Sequence, residues 1–157
     1  MEEPLILNDH NKQEYPPAHT AEHILNQTMV RMFGCSRSRV NHIERKKSKC
    51  NYDLPTGPSE EQIRQVEAEV NRIIQADLPI TERYVTRDEV PSEIDLSKLP
   101  EDASETLRLV YVGDYDVCPC LGAHVGHTSE IGNFRISSTS YNDGNFRVVF
   151  RVTTSLS

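Results

Sequence analysis

Two pairs of metal-ligand residues, separated by most of the chain, constrain this fold more than any other feature: His19 and His23 in HTAEH, Cys120 and His124 in CLGAH. A gap of three residues spans just over one helical turn, so on a helix His19 and His23 project from one face and can grip one ion. Around a Leu-Gly-Ala turn, Cys120 and His124 supply a thiolate and a third imidazole. A fold that joins the pairs makes a His-His-Cys-His shell, and those donors suit zinc. Neither pair means much alone; together they require a chain path that carries an early helix onto a late turn.

Charge narrows the partners. The chain has 157 residues and a net charge of −7, which argues against general nucleic-acid affinity and gives no reason to expect a DNA partner. The charge is unevenly spread. Arg31, Arg37, Arg39, Arg45, Lys46, Lys47 and Lys49 face only Glu44 in their segment, which is +6 and leaves −13 elsewhere. A polyanion is repelled everywhere but at that patch, and so is oriented by it; the plainer reading is a solvated basic hairpin. No stretch approaches the roughly 18 apolar residues of a membrane span, and the acidic opening MEEPLILNDHNKQEYPP does not read as a secretory signal. Cys35, Cys50, Cys118 and Cys120 do not read as a disulfide framework in a chain of this size, so a reducing cytoplasm is the expected location.

The element pattern predicts one α+β domain over residues 18–157, with residues 1–17 as an N-terminal arm. A first helix is expected from Ala18 to Phe33, after Pro16 and Pro17 and before Gly34. His19, His23, Asn26 and Val30 form one stripe on it, widened by Ala21, Ile24, Leu25 and Thr28. A basic hairpin is expected from Arg39 to Leu54. Ser59 and Gln62 form a capping box for a second helix, with Glu60 and Glu61 at its positive end and Ile63, Val66, Val70, Ile73 and Ile74 on its core face; Pro79 is expected to stop it. Strands follow at 81–87 and 107–112, separated by an acidic surface loop, and the Cys120–His124 pair is placed in a loop. Asn142-Asp143-Gly144-Asn145 signals a hairpin between strands near 134–141 and 146–152. Helices first and strands later suggest an antiparallel sheet with helices packed on one face.

The order HTAEH, basic hairpin, charged helix, LRLVYVG and CLGAHVGHTSEIGNFRI carries a specific resemblance. His19, His23, Cys120, Gly122, His124, Val125, Glu130, Ile131, Gly132 and Phe134 match a pattern of His-x3-His, Cys-x-Gly-x-His-Val, Glu-Ile-Gly and an aromatic strand. The chain resembles the editing domain shared by alanyl-tRNA and threonyl-tRNA synthetases, and most of all the free-standing alanyl-tRNA editing proteins in their short form. The resemblance implies a zinc-dependent hydrolase acting in trans on mischarged tRNA, most simply serine or glycine esterified to alanine tRNA. It implies zinc on His19, His23, Cys120 and His124. A pocket sized for alanine rejects glycine or serine poorly, so a second hydrolytic site is the chemical remedy. Arg39, Arg45, Lys46 and Lys47 are the expected contacts to the acceptor stem.

The residue types alone leave more than one mechanism open. Four bound ligands make a closed, structural type of zinc site, whereas catalysis needs an open position. Either one ligand is labile, with His124 the candidate, or the ion expands its shell, or zinc only anchors substrate while polar groups activate water. Glu22 is the candidate base; its alternative is a first-turn glutamate favoured by the helix dipole. His19-Thr-Ala-Glu22-His23 also matches the H-x-x-E-H of inverted metallopeptidases, whose third ligand would come from Glu60, Glu61, Glu67 or Glu69. That reading leaves CLGAHVGHTSEIG unexplained. Cys118 is a possible substitute ligand or a buried bystander, His127 a spare near the site, and His42 and His10 surface residues. The alternative from another class is a non-catalytic module whose zinc stabilises an RNA- or protein-binding surface.

Overall fold

In the computed structural model, residues 15–38, 40–44, 47–86, 89, 106–120 and 122–153 are described. The N-terminal arm before Tyr15, the acidic loop apart from Glu89, and Arg39, Arg45, Lys46 and His10 therefore lie outside the described residues.

Helix α1 runs Pro16–Phe33 and α2 runs Glu60–Gln75. The strands are β1 Val40–His42, β2 Ser48–Asp53, β3 Ile80–Thr86, β4 Thr106–Val112, β5 Asp116–Pro119, β6 Asn133–Asn142 and β7 Asn145–Thr153, with a 3-10 turn at Thr128–Ile131. Every strand pairing is antiparallel. The α+β reading holds, but the strands form two sheets, a four-stranded β1-β2-β7-β6 and a three-stranded β3-β4-β5.

The four-stranded sheet builds the main core by strict alternation. Phe146, Val148, Phe150 and Val152 of β7 and Cys50 and Tyr52 of β2 turn inward, against Ala21, Ile24, Leu25 and Met29 of α1 and Val66, Val70, Ile73 and Ile74 of α2. A smaller cluster of Val85, Leu107 and Leu109 serves the second sheet. The Asp143-Gly144 turn takes the positive φ values of 51° and 86° that a two-residue hairpin of this hand requires.

Both helices end as the sequence implies, with two differences. Pro16 and Pro17 belong to the first turn of α1, where a missing N–H costs nothing. α2 stops at Gln75, before Pro79, because Asp77 takes φ 57° and turns the chain. The expected capping box is complete: Gln62 N–H donates to Ser59 Oγ at 3.1 Å, and Ser59 N–H to Gln62 Oε1 at 2.9 Å.

β5 was not expected. Its four residues DVCP lack strand-forming character apart from Val117, yet they pair with β4 from Leu109↔Pro119 to Val112↔Asp116. The pairing runs one step further, Cys120 N–H donating to Arg108 O at 3.1 Å. Cys120 is thereby delivered to α1 on a strand end rather than on a free loop.

Candidate metal centre

The fold closes the two ligand pairs onto each other. One donor atom from each of His19, His23, Cys120 and His124 lies within 4.8 Å of every other. The His19 and His124 rings stack at 4.2 Å, and His23 meets them edge-on at 5.1 and 4.5 Å.

Each ring is oriented from behind. His19 Nδ1 donates to Ala123 O at 3.0 Å, which leaves Nε2 facing Cys120 Sγ at 3.3 Å. His124 Nδ1 meets Thr20 Oγ1 at 2.9 Å, and Thr20 also accepts from Val125 N–H at 3.2 Å. His124 Nε2 is then a buried nitrogen with no hydrogen-bond partner. Behind His23 stands Asp116, whose Oδ2 lies 3.7 Å from Nδ1, too long for a hydrogen bond but close enough for its charge to act. Buried polar atoms are nearly always satisfied, so an orphaned imidazole nitrogen among a thiol and two more imidazoles fits a metal ion.

The electrostatics agree. Burial pushes the Cys120 thiol up, but hydrogen bonds from His124, His19 and His23 overcome it and bring the group down to about 3, a thiolate at neutral pH. Burial also opposes charge on His23, yet Asp116, Cys120 and Glu22 outweigh it and raise it to about 9. His124 goes the other way: burial lowers it, so its ring stays neutral. The cluster thus holds its sulfur charged and protons on nearby rings, the arrangement a cation replaces when it binds.

Glu22 is buried beside the group but outside it. Its Oε2 accepts from Asn26 and, at 3.3 Å, from Asn41 of β1, while Oε1 lies 3.8 Å from His23 Nε2. It sits in the second turn of α1, not the first, so the helix-dipole reading fails; tertiary contacts hold this carboxylate. Cys118 is outside the ligand group, and burial raises its thiol to about 12, which supports the bystander reading. The α2 glutamates are engaged elsewhere: Glu61 with Arg64, Glu69 with Arg72, Glu67 with Ile136 N–H. None stands in the third-ligand position that a peptidase would need. His127 is exposed, and its N–H donates to Glu130 Oε2 at 2.9 Å ahead of the 3-10 turn.

Several functional residues escaped the sequence reading. Asp116, with no side-chain exposure, accepts from Arg37 at 2.7 and 3.2 Å and from Gln27 at 2.9 Å. Arg37 is therefore a strut behind His23 rather than a free cation of the basic patch. Arg31 is likewise occupied, with its guanidinium 4.1 Å from the centre of the Tyr115 ring and a bond to Tyr115 O. Arg108 ties down the Cys120 loop by donating to Gly122 O at 2.8 Å and Cys120 O at 3.3 Å. Of the four residues expected to contact RNA, Lys47 alone is described, and it is exposed. The one sequence signal for Asp116 was its nearness to Cys120; nothing local announced its partners.

Residues 107–149 match the family described as the threonyl and alanyl tRNA synthetase second additional domain. The chain is 35% identical over 127 residues to an alanyl-tRNA editing protein, AlaX-L, of Pyrococcus horikoshii, covering 75% of this chain and 28% of that protein. It is 29% identical over 148 residues to an alanine–tRNA ligase of Halorubrum lacusprofundi, 84% of this chain and 15% of the ligase. A ligase of Salinispora tropica is 31% identical over 124 residues, 78% and 14%. The chain thus spans less than a third of the length of these relatives, and its kinship is with proteins of alanine tRNA charging and editing.

Proposed function

From the premise that residues 107–149 belong to the second additional domain family of threonyl and alanyl tRNA synthetases, we propose that the chain is a trans-acting, zinc-dependent aminoacyl-tRNA deacylase. Its substrate is alanine tRNA mischarged with serine or glycine, met in the cytoplasm where translation runs. The observation that carries this reading is the convergence of four donors, with His124 Nε2 buried and unpartnered among them.

His19, His23, Cys120 and His124 would hold zinc. Bound there, zinc supplies Lewis-acid polarisation for attack of water on an ester carbonyl. The chain's own groups do the rest. Ala123 O and Thr20 fix the tautomers of His19 and His124, so that each presents Nε2. Glu22, clamped through Oε2 by two asparagines, keeps Oε1 free to take the proton of the attacking water. Attack forms a new carbon–oxygen bond, the bond to the ribose oxygen breaks, and that oxygen receives a proton. Arg39, Arg45, Lys46 and Lys47 are proposed to hold the acceptor stem.

A closed four-ligand shell also favours a second reading, a structural zinc beneath an RNA-binding surface. A deacylation assay with Ser-, Gly- and Ala-charged alanine tRNA separates the two. Loss of serine or glycine but not alanine, abolished in Cys120→Ala, is the expected result. Salt-sensitive tRNA binding by zinc-loaded protein without any turnover would sink the enzyme and leave the binding module.

A further inference from the structure

The four-stranded sheet has a second face, turned away from both helices, that the metal centre does not use. Alternation along β7 puts Phe146, Val148, Phe150 and Val152 in the core and Arg147, Val149, Arg151 and Thr153 outside. Arg151 lies directly opposite Arg135 of β6, and Arg147 lies between Asn51 of β2 and Ser140 of β6. Lys49 of β2 is opposite Val149, and Lys47 precedes Ser48, the partner of Phe150, at the Arg151 end. Arg135, Arg147 and Arg151 are all exposed, and among the described residues none is ion-paired. The acid of this face, Asp53, sits at the other end, opposite Asn145.

Like charges directly opposite on an antiparallel pair are destabilising. A chain with 24 acidic residues against 17 basic ones had ample means to pair Arg135 or Arg151 with a carboxylate. Instead the row around them is Asn133, Ser138, Val149 and Thr153, all uncharged. On α2, by contrast, exposed charges are paired, Arg64 with Glu61 and Arg72 with Glu69. Arg147 donates to Asn51 Oδ1 at 3.1 Å, but stability does not explain the opposed pair Arg135 and Arg151; a ligand that brings its own negative charges does.

We propose that this sheet face is the docking surface for the phosphate backbone of tRNA, with Arg135, Arg147 and Arg151 as its contacts. Lys49 and Lys47 continue the track toward the β1–β2 end of the sheet. There Asn41 of edge strand β1 reaches round to Glu22 beside the metal ligands, so the face and the centre share one edge. The inference rests on the deacylase reading, and extends its RNA contacts well beyond the segment 39–47.

The test compares two substrates on the same variants: serine-charged full-length tRNA, and a serine ester of the terminal CCA trinucleotide, too short to reach the face. With Arg135→Ser/Arg147→Ser/Arg151→Ser, KM for full-length tRNA rises, kcat holds, and cleavage of the short ester is unchanged. The slope of log binding constant against log salt shrinks by about 2 to 3, near one for each phosphate no longer neutralised. Arg135→Glu places an opposite charge against Arg151, so the melting temperature rises while tRNA binding weakens; a merely structural arginine would not move the two in opposite senses. Unchanged tRNA affinity and salt slope, with both esters cleaved, overturns the docking surface and spares the enzyme. An acidic protein competing for the face where tRNA does not overturns it as well. If wild type cleaves neither ester and binds no tRNA, the deacylase reading and this surface fall together.

Discussion

The two helices are built on opposite logic. α2 is a surface helix that local rules describe: a closed capping box, Glu60 and Glu61 at the positive end, and four buried residues, Val66, Val70, Ile73 and Ile74, on one face. α1 has no side-chain cap and no acid in its first turn, yet ten of its eighteen residues are buried. Five of those ten are Thr20, Glu22, His23, Asn26 and Thr28, which helix propensity does not favour inside. Three of them are satisfied by something distant, Thr20 by the His124 turn, Asn26 by Tyr52 and Ser38, and Thr28 by Tyr115, while His23 Nδ1 has no hydrogen-bond partner among the described residues. Where a helix is stable for local reasons, its residues are scaffold. A helix that buries polar side chains beside its apolar ones, and partners them remotely, is one whose inward face has work to do.

The sharpest way to break that contrast is to change one polar residue of α1 without changing its shape. Glu22→Gln keeps the contact volume and removes the charge. If Glu22 is the base, kcat falls by roughly 10²–10⁴ while zinc content and fold survive. Equal loss of zinc and activity would reduce it to packing. On the other helix the largest effect is on stability alone. Ile74→Ala empties a site that is 1% exposed and should cost roughly 2–5 kcal/mol in urea unfolding, with kcat of the folded fraction intact.

The same contrast explains how much was legible in the sequence. The second helix, the final hairpin and the capping box rest on interactions a few residues apart, and all stood where the pattern put them. That His19, His23, Cys120 and His124 come together was legible because two short spacings survive any fold. Strand β5 was not, since Cys118 and Pro119 carry no strand preference and only pairing with β4 orders them. The division into two sheets was not, because alternation gives a strand its faces but not its neighbours. Asp116, Arg37 and Arg108 were missed for a related reason: their roles are set by contacts 12 to 93 positions away, and their residue types suit a solvated surface equally well.

Asp116 offers a smaller but more telling effect. It stands behind His23 and is clasped by Arg37, so Asp116→Asn should loosen the ring without touching a ligand. Zinc affinity, measured by chelator competition, should fall roughly 10–100-fold, the usual cost of an outer-shell change. Arg37→Gln, which leaves the carboxylate in place, should cost less; equal losses would make Asp116 simply half of an ion pair. Acid adds a second signature. Burial works against this carboxylate, but His23 and Arg37 hold it down at about 2 against an ordinary 3.8. A group depressed on folding stabilises the fold above its unfolded value and loses that as pH falls. The margin of wild type over Asp116→Asn, about 2 kcal/mol, should thus be full above pH ~4 and vanish as pH falls through 2.

Ser59→Ala is the weakest perturbation, and it tests the premise from the scaffold side. The Ser59 hydroxyl satisfies Gln62 N–H at the start of α2, and loss of such a cap costs about 1 kcal/mol. Because α2 packs on α1 and the Thr128 turn and, among the described residues, supplies no member of the four-donor cluster, the deficit should appear in unfolding and nowhere else. Zinc affinity and kcat should match wild type below the unfolding transition. A fall in zinc affinity would mean that the two helices are not separable, and that the cap of the scaffold helix reaches through Thr128, whose hydroxyl donates to Ile73 O and Ile74 O at its C-terminus, to the turn that carries His124. Because Thr128 also accepts from Leu78 N–H at 2.8 Å, that coupling would run through one hydroxyl, and Thr128→Val on the Ser59→Ala background should then add nothing further to the loss of zinc affinity.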